Sequence, residues 1–183
     1  MRLTLGPRSY DLRTRALVVG AGGSPQDLID QGADMVELTY PHQQMPVPVC
    51  VTAGDDDLVR RGLSAGAALL HLPKPTPSSL ALCEEAGVSV LVPACAAADA
   101  TAAGLPSERV VPDTLLLDVT AEDFPVVATA VGVIRGARIV RTADVRGARR
   151  VCDVLAAVLE APGWPLSPHT WSGVTSPCSL PMQ

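Results

Sequence analysis

Short aliphatic runs recur along the chain at nearly even intervals, separated by amphipathic stretches of about ten residues. Residues 16–20, 35–39, 48–53, 68–72, 88–93, 109–113 and 138–141 read as strands. Their apolar character is continuous rather than alternating, which is the pattern of strands covered on both faces. Between them, 25–33, 55–65, 77–86, 96–103, 124–135 and 143–161 read as helices. Ser24 is placed to cap the first, and the run Asp55-Asp56-Asp57 favours the N-terminal end of the second. The last helix carries an apolar stripe through Val145, Ala148, Cys152, Leu155, Val158 and Leu159. Arg146, Arg149 and Arg150 fall on what reads as its solvated face. Glycine beside alanine just before a strand, at Gly32, Gly66, Gly87 and Gly136, marks helix C-termini. Residues 2–12 read instead as a small hairpin around Gly6-Pro7.

Strand and helix in alternation mean βαβ units and a parallel sheet. The expected fold is an α/β domain over residues 1–161, with about seven parallel strands and an N-terminal hairpin. An open doubly wound sheet and a reduced TIM-barrel-like fold both suit that count. The chain has 183 residues, fewer than the roughly 200 that a complete eightfold barrel usually needs. Residues 162–183 change character to a Pro/Ser/Gly-rich tail that contains both tryptophans, Trp164 and Trp171. It reads as disordered, or as docked on the domain or on a partner.

Composition narrows the function classes. Aromatic residues are 3% of the chain and the net charge is −5. Base-stacking platforms and a phosphate-binding cationic surface are both missing, so nucleic acid is not an expected partner. No apolar run reaches membrane-spanning length and no secretory leader opens the sequence, so a cytoplasmic protein is expected. Cys50, Cys83, Cys95, Cys152 and Cys178 are scattered without a CxxC spacing and read as reduced thiols, four of them within apolar patterns. Gly20-Ala21-Gly22-Gly23 lacks the third glycine of a dinucleotide-binding turn. The Asp55–Asp57 run reads as a charged helix start rather than a metal site.

Several segments carry a resemblance. The opening RLTLGPRSYDLRTRALVVG is similar to the start of dihydropteroate synthase, where a hairpin feeds the first barrel strand. Gly32-Ala33-Asp34-Met35-Val36-Glu37 resembles that family's second-strand signature, and Val47-Pro48-Val49-Cys50-Val51-Thr52 its third strand. GLPSERVVPD, residues 104–113, resembles the stretch ending in a strand-tip Asp. RGARIVRTADV, residues 135–145, resembles the last strand. The resemblance runs in order over residues 2–161 and implies a barrel that condenses p-aminobenzoate with a pterin pyrophosphate, assisted by Mg²⁺.

Carried over position by position, the likeness thins at the chemistry. The Asn of the first loop stands here as Gly23, and that loop is short. The second loop is replaced by Thr39-Tyr40-Pro41-His42-Gln43-Gln44. The pterin-facing Asp of the third strand is Thr52, and the Asn ending the fourth is His71. Asp113, which in the family would face the pterin, is retained. The Ser-Arg-Lys segment of the seventh strand has no counterpart. Arg141 is kept, but the anion-binding His beside it is Ala143. Without metal or cationic neutralisation, a pyrophosphate leaving group forfeits several kcal/mol of transition-state stabilisation.

The expected ligand-binding residues are therefore Asp113, Arg141, His71 and Thr52. Asp113 reads as a strand-tip cap or as an acceptor for a pterin-like ring. Arg141 reads as an anion contact or a structural ion pair, and His71 as a rim histidine or a polar ligand contact. No confident catalytic residue, no metal and no cofactor is expected, Mg²⁺ entering only if the ancestral activity survives. The expectation is a degenerate synthase homologue that acts as a non-catalytic partner or binds a pterin-like molecule. The expected partner is a second copy of this chain or a full-length synthase homologue. The alternative is an active synthase or a repurposed transferase.

Overall fold

Which way each strand residue points fixes the rest of the architecture. In the computed structural model, residues 1–39 and 45–159 are described. The hairpin comprises β1 (Arg2–Leu5) and β2 (Arg8–Asp11), antiparallel, joined through Gly6 at φ 57°. The strands β3 (Leu17–Gly20), β4 (Met35–Glu37), β5 (Val49–Thr52), β6 (Leu69–His71), β7 (Ser89–Val92), β8 (Val110–Pro112), β9 (Leu116–Asp118) and β10 (Ile139–Thr142) form one sheet. Its order is β8-β7-β6-β5-β4-β3-β10-β9, every pairing parallel. Helices α1 (Pro25–Asp30), α2 (Asp56–Ser64), α3 (Pro77–Ala86), α4 (Ala97–Ala102), α5 (Pro125–Ile134) and α6 (Val145–Leu159) follow the strands.

This is a TIM-barrel-like α/β fold, and its closure has one unusual point. The sheet order ends at β8 and β9, which are consecutive in the chain and joined only by a 3₁₀ turn, Asp113–Leu115. A side-by-side parallel crossover needs about a dozen residues to carry the chain back to the start of the sheet. Three residues cannot do that, so β8 and β9 do not pair with one another and remain the two edges of a nearly closed eight-stranded barrel. Among the described residues β8 pairs with β7 alone and β9 with β10 alone. The sequence reading counts about seven parallel strands, and the sheet has eight. The segment it overlooks is β9, because no helix separates it from β8.

Two apolar layers follow from the strand alternation. Outward residues such as Val18, Val36, Val51, Leu70, Val90 and Val140 pack under the helices. Inward residues Leu17, Val19, Met35, Cys50, Leu69, Leu91, Val111 and Ile139 fill the barrel together with Leu3, Leu5 and Leu12 of the hairpin region. The hairpin is therefore a plug across the floor, at the N-terminal ends of the strands. The hydroxyl of inward-facing Ser89 latches it by donating to the Thr4 carbonyl. Burying three leucines there contributes on the order of 1.5–3 kcal/mol each.

Local signals explain the helix ends. The Asp55 carboxylate accepts from Leu58 N at 2.8 Å, and Thr76 with Ser79 forms a reciprocal cap on α3. Ser24 stands at the head of α1 without a side-chain cap bond. Gly32, Gly66, Gly87 and Gly136 all lie at positive φ where helices turn into strands, as the sequence pattern requires. One expectation is corrected. Arg149 is only 12% exposed, because it bonds Asp34 at 2.5 Å and Asp153 at 2.8 Å. Asp34, which also pairs with Arg15 and accepts from Val18 N, is thus a structural anchor beneath the sheet. Cys50, Cys83 and Cys152 are buried thiols as expected, whereas Cys95 is exposed. No helix among the described residues is long and apolar enough to cross a membrane. The tail 162–183 and most of the loop 39–44 lie outside the described residues.

Candidate functional site at the barrel mouth

The site comes from the inward alternation carried one step further. Two residues beyond inward Met35, Cys50, Leu69, Val111, Leu116 and Ile139 stand Glu37, Thr52, His71, Asp113, Asp118 and Arg141. The parallel sheet collects these strand ends into one polar layer over the apolar filling. This is the C-terminal face, where barrels of this kind carry their chemistry. All four residues expected from sequence, Thr52, His71, Asp113 and Arg141, lie in this layer.

Arg141 is its hub. Its Nε donates to Glu37 Oε2 at 2.7 Å and its Nη2 approaches the same oxygen at 2.6 Å. Its Nη1 donates to Asp118 Oδ2 at 2.7 Å and to Thr120 Oγ1 at 3.2 Å. Every nitrogen of the guanidinium is engaged. The Glu37 side chain is 15% exposed and that of Arg141 31%, so the pair is substantially shielded from water. Burial opposes the Arg141 charge, yet the bonds to Glu37 and Asp118 raise its pKa further. Burial also opposes the Asp118 carboxylate, but bonds from Thr120 and then Arg141 hold its pKa below the ordinary value.

The network continues from Glu37. Thr52 Oγ1 donates to Glu37 Oε1 at 2.9 Å and lies 3.3 Å from His71 Nδ1. A hydroxyl has a single proton, and Thr52 directs it to Glu37. The Thr52 oxygen is therefore the acceptor and His71 Nδ1 the donor, which leaves Nε2 of a neutral His71 as a bare acceptor. Burial lowers the His71 pKa from its ordinary 6.5, against an upward pull from Glu37. Asp113 is held at one edge, where its Oδ1 accepts from Ala94 N at 3.1 Å.

Glu37, Asp118 and Thr120 join the site without having been singled out from the sequence. The strand period of two marks Glu37 and Asp118, each two positions past a buried inward residue. Arg141 does not reach the α6 N-terminus, where Asp144 Oδ1 accepts from Gly147 N at 3.0 Å. For the Mg²⁺ that the family resemblance implies, the fit is poor. The loop position of the ligating Asn is Gly23, and no three of His, Cys, Asp or Glu among the described residues are arranged to hold a metal ion.

The fold has clear counterparts. Dihydropteroate synthase from Yersinia pestis in a sulfonamide drug complex superposes with a TM-score of 0.73 at 15% identity, over 88% of this chain and 100% of that one. The Thermus thermophilus synthase gives 0.70 at 21% identity, over 87% and 99%. The Vibrio fischeri enzyme gives 0.71 at 13%, over 88% and 99%. The chain thus has the fold of dihydropteroate synthases. No protein-family model matches it, and no curated protein matches it in sequence.

Proposed function

We propose that this chain is a dihydropteroate synthase-like barrel that binds a small, donor-rich heterocycle of the pterin kind at its mouth and no longer performs the condensation. The observation that carries this reading is the engagement of Arg141 by Glu37 and Asp118. A guanidinium committed to two carboxylates has little left for a pyrophosphate or an aminobenzoate carboxylate. Three carboxylates, Glu37, Asp113 and Asp118, face that one cation across the polar layer, and the neutral His71 adds another acceptor. Such a surface favours N–H donors and disfavours anions. The loss of the lysine position in the seventh strand and of the histidine at Ala143 points the same way.

Calorimetric titration with a neutral pterin, its pyrophosphate ester and p-aminobenzoate tests the reading. The neutral pterin should bind, the ester should bind no tighter, and both substrates together with Mg²⁺ should yield no product. Asp113→Asn should weaken pterin binding about tenfold or more, as expected for a lost charged hydrogen bond of about 1.5–3 kcal/mol. Product formation, or tighter binding of the ester, overturns the loss of catalysis. Failure of every pterin to bind overturns the ligand.

A further inference from the structure

The mouth contains a row of side chains whose protons can be placed one after another. Arg141 bonds Glu37 Oε2 through two nitrogens, and the Glu37 carboxylate has only lone pairs to offer its other neighbour. Its Oε1 lies 2.9 Å from Thr52 Oγ1, a contact that requires the Thr52 proton between the two oxygens. That proton is then committed, and the Thr52 oxygen turns only lone pairs towards His71 Nδ1 at 3.3 Å. Thr52 and His71 stand level on neighbouring parallel strands, so the barrel register holds the contact in place. On the far side of the ring, Nε2 has no partner among the described residues and is not sealed from solvent. The family resemblance places an Asn at this position, whose amide offers both donors and an acceptor. His71 offers an acceptor alone.

We propose that His71 is the specificity-determining residue of the mouth, fixed by Thr52 as an obligate acceptor, so that the occupant must bring an N–H or O–H donor to Nε2. Thr52 is its positioning residue, and Glu37, held by Arg141, sets the direction of the Thr52 proton. The inference rests on the pterin reading of the site and adds to it which edge of the ring meets His71. That edge carries a lactam N–H or an exocyclic amino group, not a bare ring nitrogen or a carbonyl. Recognition also acquires a switch. A protonated histidine carries hydrogens on both nitrogens, so acid turns Nε2 from acceptor to donor and reverses its preference. The polar groups that face His71 are Glu37 of β4, Thr52 of β5, Asp113 beyond β8, Asp118 of β9 and Arg141 of β10. On the β7 side its level neighbour is the apolar Leu91. Burial, opposed by Glu37 and assisted by Arg141, lowers its pKa and keeps the ring neutral at neutral pH.

Nitrogen NMR of the free protein tests the positioning, with His71→Asn assigning the ring resonances among the three histidines of the chain. At neutral pH the proton should sit on Nδ1, with Nε2 bare. Thr52→Val should let it move to Nε2, and Thr52→Ser should restore the native pattern. Calorimetric titration with a neutral pterin tests the recognition. Its affinity should fall by about tenfold per pH unit below the His71 pKa measured on the same sample. That fall should vanish in His71→Asn. A lumazine methylated at both ring N–H positions, which keeps the carbonyls, should instead bind more tightly as His71 becomes protonated. A proton on Nε2 of the native protein overturns the inference whatever binds. So does a pterin pH profile that His71→Asn leaves unchanged, or a parallel fall of both probes. Failure of every pterin to bind, with the proton found on Nδ1, overturns the ligand reading of the mouth and the inference with it.

Discussion

The most demanding consequence of the mouth geometry concerns removal of its hub. In Arg141→Met, Glu37 keeps only the Thr52 hydroxyl as a partner and loses two donors, at 2.7 and 2.6 Å, while remaining 15% exposed. Breaking a fully buried ion pair from one side costs about 3–5 kcal/mol. Arg141 retains some contact with water, and its second pair, to a 47% exposed Asp118, contributes under about 1 kcal/mol. The expected cost is therefore about 2–3 kcal/mol at pH 7. For a domain of this size each kcal/mol moves Tm by about 2–4 °C, so the fall should be about 5–10 °C. Urea titration and calorimetry measure it. Glu37→Gln in the Arg141→Met background should recover at least about half of the loss, because the uncompensated charge is gone. A single variant within about 0.5 kcal/mol of the parent refutes the reasoning. A double variant no better than the single one does so too.

Three further outcomes are expected. His71 should titrate below 6.5 by NMR, shifting upward in Arg141→Met and further downward in Glu37→Gln, since those charges act on it in opposite senses. A base held neutral by burial stabilises the fold less once the medium favours its charged form, so its contribution should fall as the pH drops below about 6.5; a titration at or above 6.5 contradicts the assigned burial. With a thiol reagent at pH 8, Cys95 should label rapidly, while Cys50, whose burial pushes its pKa to about 12, and Cys83, at about 11, stay unlabelled in the native protein. Gly132→Ala should destabilise by about 1–3 kcal/mol in urea titration, because a Cβ there would collide with the Leu117 side chain that brings α5 down onto β9; an unchanged midpoint would contradict that packing.

Much of the barrel is legible in the pattern of the chain. Helix α3 begins and ends where its Thr-Pro start and Gly87 stop place it, and the other elements fall within a few residues of their apolar runs. The same reading misses β9 because Leu115-Leu116-Leu117-Asp118 follows β8 with no glycine or amphipathic stretch to announce a new unit. At the mouth, Thr52, His71, Asp113 and Arg141 are legible through position in a family pattern. Glu37 is harder to find, since a strand buried on both faces shows no alternation to reveal which side a residue takes. Only after inward Met35 is known does the side of Glu37 follow. The pairing of Glu37 with Arg141, 104 residues away, is a product of barrel closure that local pattern cannot contain.

The turn Asp113–Leu115 has a consequence beyond topology. Along that line the ring is held by covalent bonds instead of a hydrogen-bonded ladder, so β8 and β9 each keep one flank without a sheet partner. Separating the two lips at this seam breaks no backbone pairing, unlike separation along any other line of the sheet. The two lips carry Asp113 and Asp118. A widening there changes the distance between these carboxylates while every strand pairing from β8 round to β9 stays intact.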